Sequence, residues 1–135
     1  MLPFLSQFAL VFTLALFHFV GPPPSELGVH QGALSPCGSP AHCARVDWAV
    51  ADPEVALAAL VPVLEATPRI RIEEQEGPYL HATASSAIFG FVDDLELLAD
   101  QQRGLLQARS VSRLGDSDLG VNERRLAALQ AALPG

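Results

Sequence analysis

Residues 88–113 read IFGFVDDLELLADQQRGLLQARSVSR, and the architecture of the chain follows from this stretch. Residues 88–98 and residues 105–113 are two runs of strand length that contain apolar, aromatic and β-branched residues, so each predicts a β-strand. A polar link at residues 100–104 contains a glycine and separates the two runs. The stretch therefore predicts two strands joined as an antiparallel hairpin.

The register of this hairpin determines which polar residues meet. If Leu98 faces Leu105, then Asp94 faces Arg109, and the two form a cross-strand ion pair. Side chains alternate between the faces of a strand, so the opposite face carries the apolar residues that helices are expected to cover. That face holds Phe89, Phe91, Leu95, Leu97, Leu106 and Ala108, together with the polar residues Asp93, Ser110 and Ser112. We interpret four of these polar residues as a cluster with a structural role: Asp93, Asp94, Ser110 and Ser112.

Two helices and a second hairpin complete the predicted fold. Asp52 followed by Pro53 is typical of a helix start, and apolar residues at helical spacing continue that helix to about Ala66. The other predicted elements are strands over residues 70–76 and 79–86 and a closing helix over residues 119–133. The predicted fold class is therefore α+β: a four-stranded antiparallel sheet covered on one face by two helices, preceded by an N-terminal apolar helix.

The chain begins with a long apolar stretch in which the first charged side chain is Glu26. About twenty apolar residues can cross a bilayer as a helix, so residues 1–21 predict a membrane anchor or a signal segment that is cut near Gly21. Residues 22–33 are rich in Pro and Gly and predict a tether. Residues 34–135 then form one compact domain, which we expect in the periplasm or elsewhere outside the cytoplasm, anchored to the membrane or secreted.

Acidic residues outnumber basic residues in this chain by 15 to 8, which gives a formal net charge of -7. A protein that binds a nucleic-acid duplex needs a basic face to neutralise phosphates, whereas the field of this chain would repel a polyanion. The composition therefore argues against a nucleic-acid partner.

The two cysteines, Cys37 and Cys43, are separated by only five residues. In an oxidising compartment such a pair predicts a disulfide that closes a short loop. A metal site would have to add His42 and His30, but this spacing is not that of a zinc site and the chain has no second Cys pair. We therefore predict the disulfide and neither a metal nor a cofactor.

Three motifs in the second half of the chain resemble the signature of the domain-of-unknown-function family 1499. They are Phe-Val-Asp-Asp at residues 91–94, Arg-Ser-Val-Ser-Arg at residues 109–113 and Ser-Asp-Leu-Gly-Val-Asn at residues 117–122. The resemblance extends from Leu34 to Leu133 and includes the Pro and Cys residues of 36–43. Departures from the family pattern are His42, Val111 and Asp116. The family has no established activity, so the resemblance implies a fold and leaves the function open.

The polar residues near the start of the closing helix suggest an anion site. Arg109, Arg113 and Arg124 are hypothesised to converge on the N–H groups of that helix, beside Asp118 and Asn122. A helix N-terminus with several guanidinium groups can bind a carboxylate or a phosphate. In the alternative interpretation the same residues are scaffolding, with Asp118 or Asn122 capping the helix.

These observations favour a non-enzymatic binding or interaction module in the cell envelope. The expected partners are the membrane, through the N-terminal segment, and a small anion or a protein. The alternative is a small hydrolase-like enzyme centred on Asp93, Asp94, Arg109 and Arg113. Adjacent strand residues point to opposite faces, so Asp93 and Asp94 can share a proton only if a bulge intervenes.

Overall fold

The computed structural model describes residues 20–88, 90–115 and 117–135. The predicted N-terminal helix therefore lies outside the described residues except for Val20 and Gly21, and Phe89 also lies outside them. The elements in chain order are β1 (Val29–His30), β2 (Ala33–Leu34), β3 (Cys43–Ala49), α1 (Pro53–Ala66), β4 (Ile70–Glu76), β5 (Tyr79–Ser85), β6 (Val92–Asp100), β7 (Leu105–Ser112) and α2 (Val121–Ala131). Neither α1 nor α2, the helices of the described ranges, is long and apolar enough to span a membrane.

The main sheet has five antiparallel strands in the order β3-β7-β6-β5-β4. The α+β class is confirmed, but the prediction of four strands is wrong because it omits β3. The alternation of Ala44, Val46 and Trp48 with charged residues is short and lies directly after the cysteine loop. These residues become a strand because β7 offers a partner edge along their whole length, and that partner is more than fifty residues away.

The predicted start of the first helix is confirmed. The Asp52 carboxylate accepts hydrogen bonds from the backbone N–H groups of Glu54, at 3.1 Å, and Val55, at 3.3 Å. Gln101 in the β6–β7 turn also donates to this carboxylate, at 3.0 Å. The bond from Gln101 and then those from the helix lower the pKa of Asp52. The cap thus fastens α1 to the central hairpin as well as beginning the helix.

The central hairpin has a different register from the predicted one. Asp100 lies opposite Leu105, Glu96 lies opposite Arg109, and Asp94 lies opposite Val111. The strands continue further into the turn than the polar link suggests, which shifts the pairing by two residues. A shift of two leaves every side chain on its predicted face, so the apolar pattern does not distinguish the two registers. The predicted pairing of Asp94 with Arg109 is therefore wrong, whereas the assignment of faces is right.

The hydrophobic core lies between the helices and the face of the sheet that the sequence predicted for it. Its large buried side chains are Trp48 of β3, Leu57, Leu60 and Leu64 of α1, Leu126 and Leu129 of α2, and Leu80, Leu95, Leu97 and Leu106 of the other strands. Phe91 was expected on this face, but it precedes β6 and is 40% exposed. Burial of the leucines contributes about 2 kcal/mol each and is the main source of stability.

Residues 21–37, here named the strap, lie across the other face of the sheet. β1 and β2 pair with each other within the strap, and Leu34 is buried. The backbone N–H of Gly28 donates to Glu96 at 2.7 Å, from a φ of +102° that favours glycine. The sequence predicts a tether over residues 22–33, but the structure places this segment in contact with the sheet.

We predict that the strap contributes to folding stability. A chain of residues 35–135 keeps the disulfide but loses Leu34 and the strap's hydrogen bonds to the sheet. Relative to residues 20–135, its free energy of unfolding should fall by about 3 kcal/mol or more, and its melting temperature by about 10 °C or more. Glu26→Ala in residues 20–135 should show part of this loss. Equal melting of the two chains would contradict the prediction.

Candidate functional site

The face beneath the strap is buried and strongly polar. Asp94, Glu96, Gln107 and Arg109 all point to it, and none of them is more than 2% exposed. Burying charges in this way is costly unless each charge has a partner of opposite sign and its hydrogen bonds are made. The partners come from neighbouring strands and from the strap.

Asp94 is held by two basic side chains. Arg113 donates to both of its carboxylate oxygens, from Nε at 2.8 Å and from Nη2 at 3.0 Å, and His81 Nε2 lies 2.7 Å from Oδ1. Burial works to raise the pKa of Asp94, but the bonds from His81 and Arg113 outweigh it and lower that pKa. The bonds to Asp94 in turn raise the pKa of Arg113. Asp94 is therefore a charged and fully paired carboxylate.

Glu96 and Arg109 form the second part of this network. Arg109 donates to Glu96 at 3.3 Å and to Glu26 of the strap at 3.0 Å. Tyr79 donates to Glu96 at 2.6 Å; burial first and then this bond raise the pKa of Tyr79. The pKa of Glu26 is lowered by its own backbone N–H and then, against burial, by Arg109. The guanidinium of Arg109 thus lies between two carboxylates of the chain itself.

Gln107 joins the strap to the sheet as a backbone group would. Its amide oxygen accepts from the N–H of Leu34 at 2.9 Å, and its amide nitrogen donates to the carbonyl of Gly32 at 3.2 Å. Arg45 of β3 also donates to the amide oxygen, at 2.7 Å. The side chain therefore continues the hydrogen bonding of β2 onto the sheet.

The helix-covered face carries a second, smaller polar cluster. Arg125 of α2 lies 2.9 Å from Asp93. Asn122 is fully buried, accepts from Ser110 at 2.7 Å and donates to Ser112 at 2.8 Å. These contacts fix α2 on β6 and β7, which is consistent with the structural interpretation of the predicted cluster.

Asp118 occupies the N-terminus of α2. Its carboxylate accepts from the N–H groups of Gly120, at 2.7 Å, and Asn122, at 3.3 Å. Burial works to raise the pKa of Asp118, but the bonds from the Asn122 side chain and from these N–H groups lower it. The N-cap residue of α2 is Gly120, two residues after Asp118, and the Asp118 carboxylate bonds to N–H groups at this end of the helix, which is consistent with the scaffolding interpretation. A carboxylate of the chain stands where an external anion would bind.

The structure does not bring the predicted anion-binding residues together. Arg109 and Arg113 lie beneath the strap, whereas Asn122 is buried on the other side of the sheet. Arg124 donates to the carbonyl of Leu119 and is exposed. Asp93 and Asp94 point to opposite faces, and each is paired with its own arginine. The cluster thus consists of two separate networks.

The predicted disulfide between Cys37 and Cys43 is confirmed, with a Cα–Cα distance of 5.6 Å. It ties the end of the strap to the start of β3. Across residues 20–88, 90–115 and 117–135, no group of three or more His, Cys, Asp or Glu side chains is placed to hold a metal ion.

A groove of about 810 Å³ lies between β3 and α2. The outer side of β3 forms one wall, and the Glu123, Ala127 and Gln130 face of α2 forms the other. Residues 37–41 and 117–120 close one end, where the N–H of Asp118 donates to the carbonyl of Ala41 at 2.9 Å. Sequence reasoning missed this groove because it missed β3.

The backbone of β3 offers hydrogen-bonding groups on the groove side. His42 and Val50 bond to the β7 side, through Ser112 and Gly104, so the even-numbered residues between them also point their backbone groups to β7. The odd-numbered residues point theirs away from the sheet: Cys43, Arg45, Asp47 and Ala49. In the part of the chain that the structure describes, no strand pairs with this side of β3.

The two edges of the sheet differ. β4 carries a register irregularity between Ile72 and Glu74, and Glu73, Glu74 and Glu76 crowd its outer half with negative charge. Bulges and repeated like charges are features that prevent an edge from pairing with another strand. β3 is regular over seven residues and contains one basic and one acidic residue. The edge beside the groove is thus the one suited to pairing.

We predict a strong energetic coupling between Asp94 and Arg113. In a double-mutant cycle with alanine at both positions, the coupling free energy should be about 1–3 kcal/mol, because either single change leaves a buried charge unpaired. The same cycle between Asp94 and Arg125, which lie on opposite faces, should be additive within about 0.5 kcal/mol. Urea unfolding of the variants measures both values. Equal coupling in the two cycles would contradict the assigned pairs.

We also predict how Asp94 affects acid stability. The pKa of this group is lowered in the folded state below its ordinary value of 3.8, so its stabilising effect is complete well above pH 3.8 and is lost as the pH falls through the folded value. Asp94→Asn should be less stable than the wild type by about 3 kcal/mol at neutral pH. That difference should begin to shrink near pH 3.8, where the unfolded wild type binds a proton, and should continue to shrink as the pH falls through the lower folded value.

Val111→Ala is the control for this experiment, because Val111 lies opposite Asp94 and carries no titratable group. Its stability deficit should stay constant with pH. The other carboxylates are present in the wild type and in both variants, so their effect on the free energy of unfolding cancels when each variant is compared with the wild type. An Asp94→Asn deficit that does not change between about pH 7 and about pH 2.5 would show that the carboxylate is not held in its charged form.

Comparison with known proteins gives a match to one family. No curated protein and no solved structure matches the chain significantly. A family model with the description "Protein of unknown function (DUF1499)" matches residues 33–133. The match begins at β2 and takes in the whole main sheet, both helices and the groove beside β3. Because it covers about three quarters of the sequence, the chain belongs to this family of proteins of unknown function.

Proposed function

We propose that this protein is a non-enzymatic interaction module of the cell envelope that binds an extended protein strand along the outer edge of β3. The observation that carries the proposal is the open hydrogen-bonding edge of β3 next to the groove under α2. Addition of a strand to an exposed sheet edge is a common form of peptide recognition. Its backbone bonds give affinity, and side chains in adjoining pockets give specificity.

The burial and internal pairing of the polar networks favour an interaction role over a hydrolase activity. A catalytic carboxylate must be accessible to its substrate, and an anion-binding arginine must be accessible to its ligand. Asp94 and Arg109 are buried beneath the strap, and each is neutralised by partners within the chain. The N-terminus of α2 is likewise occupied by Asp118. These groups act as scaffolding, which is why we propose a protein partner in preference to a small anion.

Three properties of the chain support a place outside the cytoplasm. The Cys37–Cys43 disulfide is typical of an oxidising compartment. Residues 1–21 are apolar and suit attachment to a membrane or export across it. The acidic surface disfavours polyanionic partners such as nucleic acid. We therefore propose that the membrane-attached domain meets another protein on the extracytoplasmic side.

We predict that the outer edge of β3 is protected when the protein is in its native membrane. Amide hydrogen exchange compares the N–H groups of Arg45 and Asp47, which point outward, with those of Ile72 and Gln75, which point outward from the β4 edge. If a strand binds β3, exchange at Arg45 and Asp47 should slow by about tenfold or more relative to the purified chain at high dilution, because those N–H groups acquire backbone acceptors. Exchange on β4 should stay unchanged.

Ala49→Pro is the matched variant for this measurement. It removes one outward N–H from β3 without a change in charge and without loss of a bond to β7. Protection at Arg45 and Asp47 should weaken in this variant while its melting temperature stays close to that of the wild type. Rapid exchange at both positions in the native membrane, equal to that of the dilute chain, would show that no strand binds the edge.

A further inference from the structure

We propose that the strand bound by β3 is β3 of a second copy of this chain, paired antiparallel about a twofold axis through Val46. This inference rests on the proposed function, since it names the partner of the same edge. The result is a dimer in which the two five-stranded sheets form one continuous sheet. Hydrogen-bond geometry, charge and the space under α2 each support this pairing.

The hydrogen-bond geometry permits few pairings between two β3 strands. In an antiparallel pair, residues that exchange backbone bonds must both point outward, so on β3 both must be odd-numbered. An axis through Val46 places Cys43 opposite Ala49 of the second copy and Arg45 opposite Asp47. All four outward residues of each strand then find partners along the full length of β3. An axis through any other residue leaves part of the strand unpaired.

The charges select the same axis. With the axis at Val46, each Arg45 faces Asp47 of the second copy. An axis at Arg45 would instead place Arg45 opposite its own copy, and an axis at Asp47 would place two carboxylates together. Like charges directly opposite each other are destabilising in a sheet. Charged residues on an edge strand normally discourage pairing, but the opposite signs at Arg45 and Asp47 make one pairing favourable.

The geometry of these two side chains suits a closed ring of charges. Arg45 donates to Oδ1 of Asp47 within its own strand at 2.6 Å, and the Asp47 side chain is 47% exposed. Pairing about Val46 brings Arg45 of the second copy to the exposed side of that carboxylate. Two arginines and two aspartates then alternate around the axis. A basic peptide from another protein would match Asp47 but would repel Arg45, which is why we prefer the second copy.

The groove leaves room for the second copy on the helix side. Val46 is partly exposed there, and two valines at the axis would form an apolar cross-strand pair. α2 packs on both β3 and β7, so its axis lies above the space between them. With strands about 4.8 Å apart, the two α2 helices would then lie about 10 Å apart, which is the separation of packed helices. Small Ala127 lies at the middle of the facing surface.

A cysteine at the axis tests this pairing directly. The full-length chain with Val46→Cys is purified in mild detergent, oxidised and run on a non-reducing gel. Directly opposed residues of a non-hydrogen-bonded pair have Cα atoms about 4.5 Å apart, within the range of a disulfide. We expect a crosslinked dimer that reduction abolishes. Ala44→Cys is the control, because its two copies would lie about 13 Å apart and cannot be bridged.

Charge reversal provides a second test that does not depend on an added cysteine. Arg45→Asp and Asp47→Arg each create two like-charge pairs in the dimer, and each should raise its dissociation constant about tenfold or more. The double change Arg45→Asp with Asp47→Arg restores opposite charges and should restore the dimer. The mass of each full-length variant is measured by light scattering over a range of concentrations, and its melting temperature shows whether it has folded.

The results separate this inference from the proposed function. The inference is overturned if the Val46→Cys variant stays monomeric under oxidation, if the Ala44→Cys variant crosslinks equally well, or if the charge swap of a folded chain fails to restore the dimer. Protected N–H groups at Arg45 and Asp47 together with a monomeric Val46→Cys variant would mean that a different protein supplies the strand. Unprotected N–H groups and no crosslink would overturn both proposals.

Discussion

The structure depends on the pairing of charges that are buried beneath the strap. Asp94, Glu96 and Arg109 leave water when the strap covers the sheet, and each would be strongly destabilising if it were left alone. Glu26 and the backbone of Gly28 come from the strap and complete the pairing. The strap and the polar face thus depend on each other. The face supplies hydrogen-bond partners for the backbone of the strap, and the strap supplies the remaining partners for the buried charges of the face.

This constraint explains why the most conspicuous polar residues are poor candidates for chemistry. The guanidinium of Arg109 is buried between two carboxylates that neutralise its charge, so an external ligand cannot reach it while the strap is in place. The N-terminus of α2 is filled by Asp118. The proposed binding surface instead consists of ordinary backbone groups on the outer side of β3, next to a groove of about 810 Å³. The sequence of β3, Cys-Ala-Arg-Val-Asp-Trp-Ala, contains no unusual motif.

Much of the fold could be read from the sequence. The Asp52–Pro53 start located α1, two runs of strand length on either side of the polar link located the central hairpin, and the faces of that hairpin were assigned correctly. The register of the hairpin was predicted wrongly, because a pattern with a period of two residues is unchanged by a shift of two residues. The predicted ion pairs depended on the predicted register. Arg109 was therefore paired with Asp94, whereas in the structure Arg109 bonds to Glu96. The local sequence pattern therefore determined which face of the hairpin each side chain occupies, but it did not determine which charged residues form ion pairs.

The α+β class, the disulfide, the start of α1 and the side of the sheet that the helices cover could all be predicted from the sequence, since each depends on residues close together in the chain or on a short period. The folded structure was needed to show that β3 is a strand, that the strap covers the polar face, and that no strand of the described residues pairs with the outer side of β3. β3 meets β7, and Glu26 meets Arg109, across more than fifty positions of the chain. Contacts at such separation leave no local period in the sequence, so they exist only once the chain has folded.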